Sequence, residues 1–123
     1  MGIFAKPIRT CERDVMNALA KDARSKGRLI LGPELLPAVL AHPLHPTPLL
    51  VSSGATSSRC AGDGLWTLDL RPRYRELRYQ VESSQVTIGT GLTMAEVLEG
   101  LRSDRRALPI GLSGMPGSGF LLT

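Results

Sequence analysis

Residues 51–64 combine residue types that could together bind an anion. They follow an apolar run at 49–51 and precede another at 65–70, which predicts a loop between two buried strands. Small residues dominate the loop, so its backbone can approach another molecule closely. Successive N–H groups, hydroxyl side chains and Arg59 are typical of an anion cradle. Composition alone favours an ordinary surface loop, so a binding role depends on the features found later in the chain.

Histidine and cysteine offer little further chemistry. His42 and His45 have a spacing that occurs in metal sites, but prolines separate them from any helix and no third ligand accompanies them. Cys11 and Cys60 have neither metal-site spacing nor the pattern of a disulfide framework. Arg59 favours a thiolate at Cys60, although an inert side chain is the favoured interpretation. We therefore expect a protein of a reducing compartment, the cytoplasm.

A basic cluster raises the alternative of a non-enzymatic domain that binds nucleic acid or another polyanion. Four arginines lie close together with two tyrosines among them: Arg71, Arg73, Arg75 and Arg78, with Tyr74 and Tyr79. The formal net charge of +4 permits an anionic partner without requiring one. Arginines alternating along a strand are commonly its solvated face, which is the favoured interpretation here.

The size and composition of the chain fit one modest globular domain. It has 123 residues, of which 42% are hydrophobic and 4% aromatic, so aliphatic side chains must fill the core. The N-terminus lacks the apolar stretch of a signal peptide. Four prolines interrupt the most apolar region, residues 35–51, which excludes it as a membrane span.

Local patterns predict the elements that hold these groups. A helix is expected over 11–26, ended by Lys26 and a left-handed Gly27, then a short strand at 29–31. Pro33 predicts the first turn of a second helix, whose buried face would be Leu35, Leu36, Val39 and Leu40.

The elements after residue 65 are predicted by clearer sequence patterns. Residues 65–70 read as a strand, and period-two alternation predicts an antiparallel hairpin at 76–89. Thr93 and Glu96 form a capping box that begins a helix at 94–102. Glycines and prolines forbid regular structure in most of 108–123. Because the sequence stops on an apolar run, we expect it to be truncated relative to its fold.

Three ordered features resemble the start of the FAD-binding domain of the vanillyl-alcohol oxidase and para-cresol methylhydroxylase (PCMH-type) flavoproteins. They are the glycine-serine loop at 53–59, the strand that runs through Gly-Thr-Gly into the capped helix at 86–98, and the glycine-rich stretch at 108–120. The resemblance covers residues 48–123 and leaves 1–47 as an N-terminal helical segment. The fold expected is α+β, a small mixed sheet of four or five strands with two or three helices packed on one side.

The resemblance also implies a site and a cofactor. The first loop, residues 53–59, would wrap the FAD pyrophosphate, and the second, around residues 109–119, would line its other side. The residues so assigned are Ser53, Gly54, Ala55, Thr56, Ser57, Ser58, Arg59, Gly111, Ser113, Gly114, Gly117 and Gly119. Thr56 stands where many members carry a histidine bonded to the flavin, so non-covalent FAD is implied.

The same resemblance limits what this chain is expected to do alone. The second FAD-binding subdomain and the substrate domain of the family would follow residue 123, either in a missing C-terminal region or in a second chain. No catalytic residue is assigned, because the family's catalytic side chains lie largely in those parts. A degenerate fragment without activity of its own is a further alternative.

Overall fold

Three short parallel strands form the first sheet of the computed structural model, which describes residues 24–57, 59–109, 114 and 116–119. They are β1 (Gly27–Leu29), β2 (Leu49–Ser52) and β3 (Trp66–Asp69), in the order β1-β3-β2. Leu29 and Val51 both lie opposite Leu68 in the register. The helix α1 (Leu36–Ala41) connects β1 to β2, and the loop at 53–65 connects β2 to β3.

The central position of β3 explains why both of its faces are buried. Thr67, Leu68 and Asp69 are all buried, unlike the residues of a strand with one solvated face. Leu68 packs in a core with four other buried side chains, those of Leu29, Leu31, Val39 and Leu70. Only Val39 of α1 is buried, so this helix contributes little more than one side chain to the core.

An antiparallel hairpin and a second helix form the other half. Strands β4 (Leu77–Gln80) and β5 (Gln85–Ile88) pair with Tyr79 opposite Val86. The helix α2 (Met94–Arg102) begins at the predicted capping box, in which Glu96 N donates to Thr93 Oγ1 over 3.2 Å and Thr93 N donates to Glu96 Oε2 over 2.8 Å. The buried face of α2 then packs against the hairpin: Met94, Val97 and Leu101.

Two glycines let the halves approach each other. Gly89 N donates to Glu76 O over 2.6 Å, and Gly91 N donates to Tyr74 O over 2.8 Å. A Cβ at Gly91 would lie 2.1 Å from Leu70 O, which real contacts do not allow. The Gly-Thr-Gly segment is therefore required by backbone packing between the exit of β3 and the turn before α2.

The first half differs from the prediction at two boundaries. Arg24 and Ser25 are not helical and Gly27 begins β1, so the end expected for a helix at 11–26 is wrong; residues 11–23 lie outside the described part. Strand pairing with Trp66 overrides the local helix-ending signal. The predicted helix at Pro33 begins instead at Leu36, because Leu35 N and Leu36 N both donate to Gly32 O in a preceding turn.

The buried face expected for that second helix is also corrected. Leu35 is 43% exposed and Leu40 is 42% exposed, whereas Val39 is buried and Leu36 is partly buried. A helix of six residues has too few turns to bury a wide apolar stripe.

The predicted α+β composition is confirmed. Of the five strands in the described residues, three pair in parallel and two pair antiparallel. They are divided between a parallel and an antiparallel sheet, and each helix packs on its own sheet, which corrects the expected single sheet covered on one side. Within the described residues, no helix has the length and apolarity needed to cross a bilayer.

The close approach at Gly91 gives a stability prediction. We expect Gly91→Ala to lower the free energy of unfolding by about 3 kcal/mol, because its methyl group would meet backbone that cannot rotate away. The control is Gly64→Ala, where φ is +68° and nothing lies within 4 Å of the added Cβ, so only the left-handed conformation costs about 1 kcal/mol. Urea denaturation measures both, and equal losses would contradict the packing role of Gly91.

Candidate functional site

A cleft of about 390 Å³ lies at the carboxyl end of β2. One wall is formed by the strand end and the loop that follows it, residues 50–57 with Arg59 and Cys60, and the other by Pro116, Gly117 and Gly119. Ligands of sheets with parallel strands commonly bind at this edge, where the loops leave the strands. No acidic residue lines the cleft in the described part of the chain.

The two walls meet at a pair of glycines. A Cβ at Gly54 would lie 2.1 Å from Gly117 N, and one at Gly117 would lie 2.3 Å from Gly54 N. Neither position accepts a side chain without moving backbone. Beside them Ala55 has φ of +55°, a left-handed conformation that glycine adopts more readily. The glycine pair therefore lets the two loops pack backbone against backbone.

The N–H groups of the first loop have few partners of their own. Within the described residues, no hydrogen bond is donated by the backbone N–H of Ser53, Gly54, Ala55 or Ser57. Gly54 and Ala55 are buried. A buried N–H without an acceptor is rare in proteins because it loses its hydrogen bond to water. These donors therefore have capacity for an acceptor placed in the cleft.

The turn at 57–60 presents the positive charge of the loop. Arg59 N donates to Ser57 Oγ over 3.1 Å and Cys60 N donates to Ser57 O over 3.1 Å. The guanidinium of Arg59 makes no ion pair with any described residue. Cys60 is buried and its thiol is free. The exposed Arg59 side chain is thus the cation among the described residues that line the cleft.

The second loop is held by the N-terminus of α2. Met94 N donates to Pro116 O over 2.9 Å and Ala95 N donates to Gly114 O over 3.0 Å. These helical N–H groups are therefore bound within the protein and do not face a ligand. Ser118 fixes the loop further, since its N–H donates to Leu92 O and its hydroxyl donates to Gly89 O, each over 2.7 Å.

The structure brings together most, but not all, of the residues assigned from the sequence. Eight of them line the cleft: Ser53, Gly54, Ala55, Thr56, Ser57, Arg59, Gly117 and Gly119. Gly114 does not, because it packs against Ala95 at the start of α2. Ser58, Gly111 and Ser113 lie outside the described residues.

Sequence reasoning missed several residues that shape the cleft. Pro116 and the end of β2 line it, and Ser118 holds its second wall. Pro116 could have been predicted to line the cleft, because it lies between two glycines that were assigned to the site, Gly114 and Gly117. Nothing local marks Ser118, since its partners lie more than twenty residues earlier in the chain.

A buried ion cluster lies at the end of β3. The Asp69 side chain, 2% exposed, accepts from Arg28 Nη2 over 2.7 Å and from Arg71 Nη2 over 2.8 Å. Burial raises the pKa of Asp69, but the hydrogen bonds from the side chain and backbone of Arg71, its charge and the bond from Arg28 outweigh burial and lower the pKa. Asp69 is therefore an ionised link between β1 and β3.

The basic cluster is balanced by carboxylates. Arg71 pairs with Asp69 over 2.8 Å and Arg78 with Glu76 over 3.4 Å. The other two arginines also have partners: Arg73 pairs with Glu34, and Arg75 with Glu96. Compensated charge is a weaker attractant for a polyanion than free charge.

The tyrosines among those arginines are partly buried. The hydroxyl oxygens of Tyr74 and Tyr79 are both buried. Burial, together with the charge of Glu34, raises the pKa of Tyr74 against the opposing effect of Arg73. Nucleic-acid bases stack on exposed aromatic rings, whereas Tyr74 and Tyr79 are only partly exposed and pack against the two cores.

The described residues contain no group of three or more His, Cys, Asp or Glu side chains placed to share a metal ion. Comparisons of the chain with protein-family models, with curated proteins and with solved structures find no match.

The Asp69 cluster predicts how stability depends on pH. Because the folded-state pKa lies below the ordinary value of 3.8, the ionised carboxylate stabilises the fold above that value, and this contribution is lost as the pH falls through the folded-state pKa. We expect Asp69→Asn to lower the free energy of unfolding by about 1–3 kcal/mol at pH 7, since it removes one charge of a buried cluster whose arginines are partly exposed.

Urea denaturation at pH 7 and at pH 2.5 measures this effect, with the exposed Asp104→Asn as the matched control. The difference between wild type and Asp69→Asn should shrink at the lower pH. A difference that is equal at both values would contradict the assignment of an ionised Asp69.

Proposed function

We propose that this chain is an FAD-binding module of a flavin-dependent oxidoreductase, and that its cleft holds the pyrophosphate of non-covalently bound FAD. The observation that carries the proposal is a pair of buried residues, Gly54 and Ala55, whose N–H groups donate no hydrogen bond to a described residue. They line a cleft together with Arg59, whose guanidinium makes no ion pair with a described residue, and its described walls hold no acidic residue.

A diphosphate suits these donors better than a neutral ligand does. Its oxygens accept several hydrogen bonds at once, and bonds to a charged acceptor contribute about 1.5–3 kcal/mol each. Backbone N–H groups arranged around a concave loop bind phosphate without a cluster of cations. The one arginine that lines the described cleft, Arg59, then supplies the remaining positive charge.

The shape of the cleft is consistent with part of a dinucleotide. Its volume of about 390 Å³ falls in the range of small-ligand sites. The contact between Gly54 and Gly117 leaves no side chain between ligand and backbone at that point. The described walls include no aromatic ring, so they recognise phosphate groups and not the flavin ring.

The flavin ring would supply the redox chemistry by accepting a hydride from a substrate. The role of this chain would be to bind and orient the phosphates that anchor the cofactor. Thr56 lines the cleft without the imidazole needed for a covalent histidyl link. Denaturation should therefore release FAD unchanged.

A ligand titration followed by amide NMR shifts tests the proposal. We expect FAD and ADP to shift the N–H signals of Gly54 and Ala55 with dissociation constants between about 1 µM and 1 mM, the range that a few hydrogen bonds to phosphate supply. Riboflavin, which has the ring and no phosphate, should leave those signals unchanged. Arg59→Gln should weaken FAD binding by about tenfold or more, the effect of one charge-assisted bond.

Arg78→Gln is the matched control, because it removes the same charge from the hairpin. It should leave FAD binding unchanged. Riboflavin binding as tight as that of FAD would contradict a phosphate cradle. Ligand shifts centred on residues 71–78 would point instead to the polyanion alternative.

A further inference from the structure

We propose that Ser53 is a positioning residue that fixes the second wall of the cleft, and that its hydroxyl does not contact the phosphates. The inference rests on the proposed function and changes the role that the sequence assigned to this serine. Its basis is the set of contacts that the side chain makes with the protein itself.

The Ser53 hydroxyl both donates and accepts a hydrogen bond within the protein. Its Oγ donates to Thr90 O in the turn between β5 and α2, and accepts from Gly119 N over 3.4 Å. A hydroxyl has one proton to donate, and here that proton is directed to Thr90. Ser53 therefore has no proton left for a phosphate oxygen while this arrangement holds.

Two glycines of the second loop lie against the same hydroxyl. A Cβ at Gly117 would lie 2.2 Å from Ser53 Oγ, and one at Gly119 would lie 3.1 Å from it. The hydroxyl occupies the space that side chains at those positions would need. Ser53 thus connects three segments, which are the end of β2, the turn before α2 and the wall at 117–119.

The wall has a second support that does not involve Ser53. Ser118 bonds Leu92 O and Gly89 O through its N–H and its hydroxyl, and it is buried. Removing the Ser53 hydroxyl should therefore loosen the wall locally without detaching the loop. This separation makes a positioning role distinguishable from a general loss of the fold.

The test uses Ser53→Ala in the free protein and with ligand. In the free protein we expect hydrogen exchange at Gly119 N–H to accelerate about fivefold, the loss of one ordinary hydrogen bond. The dissociation constant for FAD should rise about five- to tenfold, with the unfolding midpoint close to that of wild type. Ser53→Thr keeps the hydroxyl and should restore both values, and Ser83→Ala, on the exposed hairpin turn, should change neither.

The outcomes separate this inference from the proposed function. Weaker FAD binding with unchanged exchange at Gly119 would mean that the hydroxyl contacts the ligand, and would overturn the inference. Unchanged binding would overturn it as well. If wild type binds neither FAD nor ADP, the proposed function fails, and the exchange measurement on the free protein still decides whether Ser53 holds the wall. If Ser53→Ala does not fold, Gly119→Ala tests the same contact from the other side.

Discussion

Backbone packed directly against backbone is the constraint on which the described fold depends. The halves meet where Gly91 lies against Leu70 O, and the two loops of the cleft meet where Gly54 lies against Gly117. No side chain fits at either place, so neither contact survives the addition of a methyl group without movement. The sequence places glycine where the halves and the loops must touch, and the cleft exists because they touch there.

This packing also decides which N–H groups remain for a ligand. A helix N-terminus is the usual anion site of a strand–loop–helix unit, but Met94 and Ala95 donate to the second loop instead. Among the described residues, the N–H groups of Gly54 and Ala55 in the first loop have no such acceptor. The N–H groups that would be available to an anion are therefore those of Gly54 and Ala55, and not those at the start of the helix.

The parts of the fold that the sequence predicts are those with local causes. The hairpin follows from period-two alternation, and α2 follows from the capping box at Thr93 and Glu96. The end of the first helix was mispredicted because Gly27 pairs with Trp66, which is distant along the chain. The two loops of the cleft could be predicted from their glycine and serine content. The contact between Gly117 and Gly54 could not, because no local sequence pattern indicates it.

The distribution of charge argues for the cleft over the arginine cluster as the place where an anion would bind. The net charge of +4 does not by itself separate them. Arg75, for example, pairs with Glu96, whose hydrogen bond from Thr93 N lowers its pKa against burial, with Arg75 lowering it further, so the carboxylate stays ionised. An incoming anion would have to displace that carboxylate. At Arg59 no carboxylate of a described residue would have to be displaced, and the N–H groups of Gly54 and Ala55 have no described acceptor.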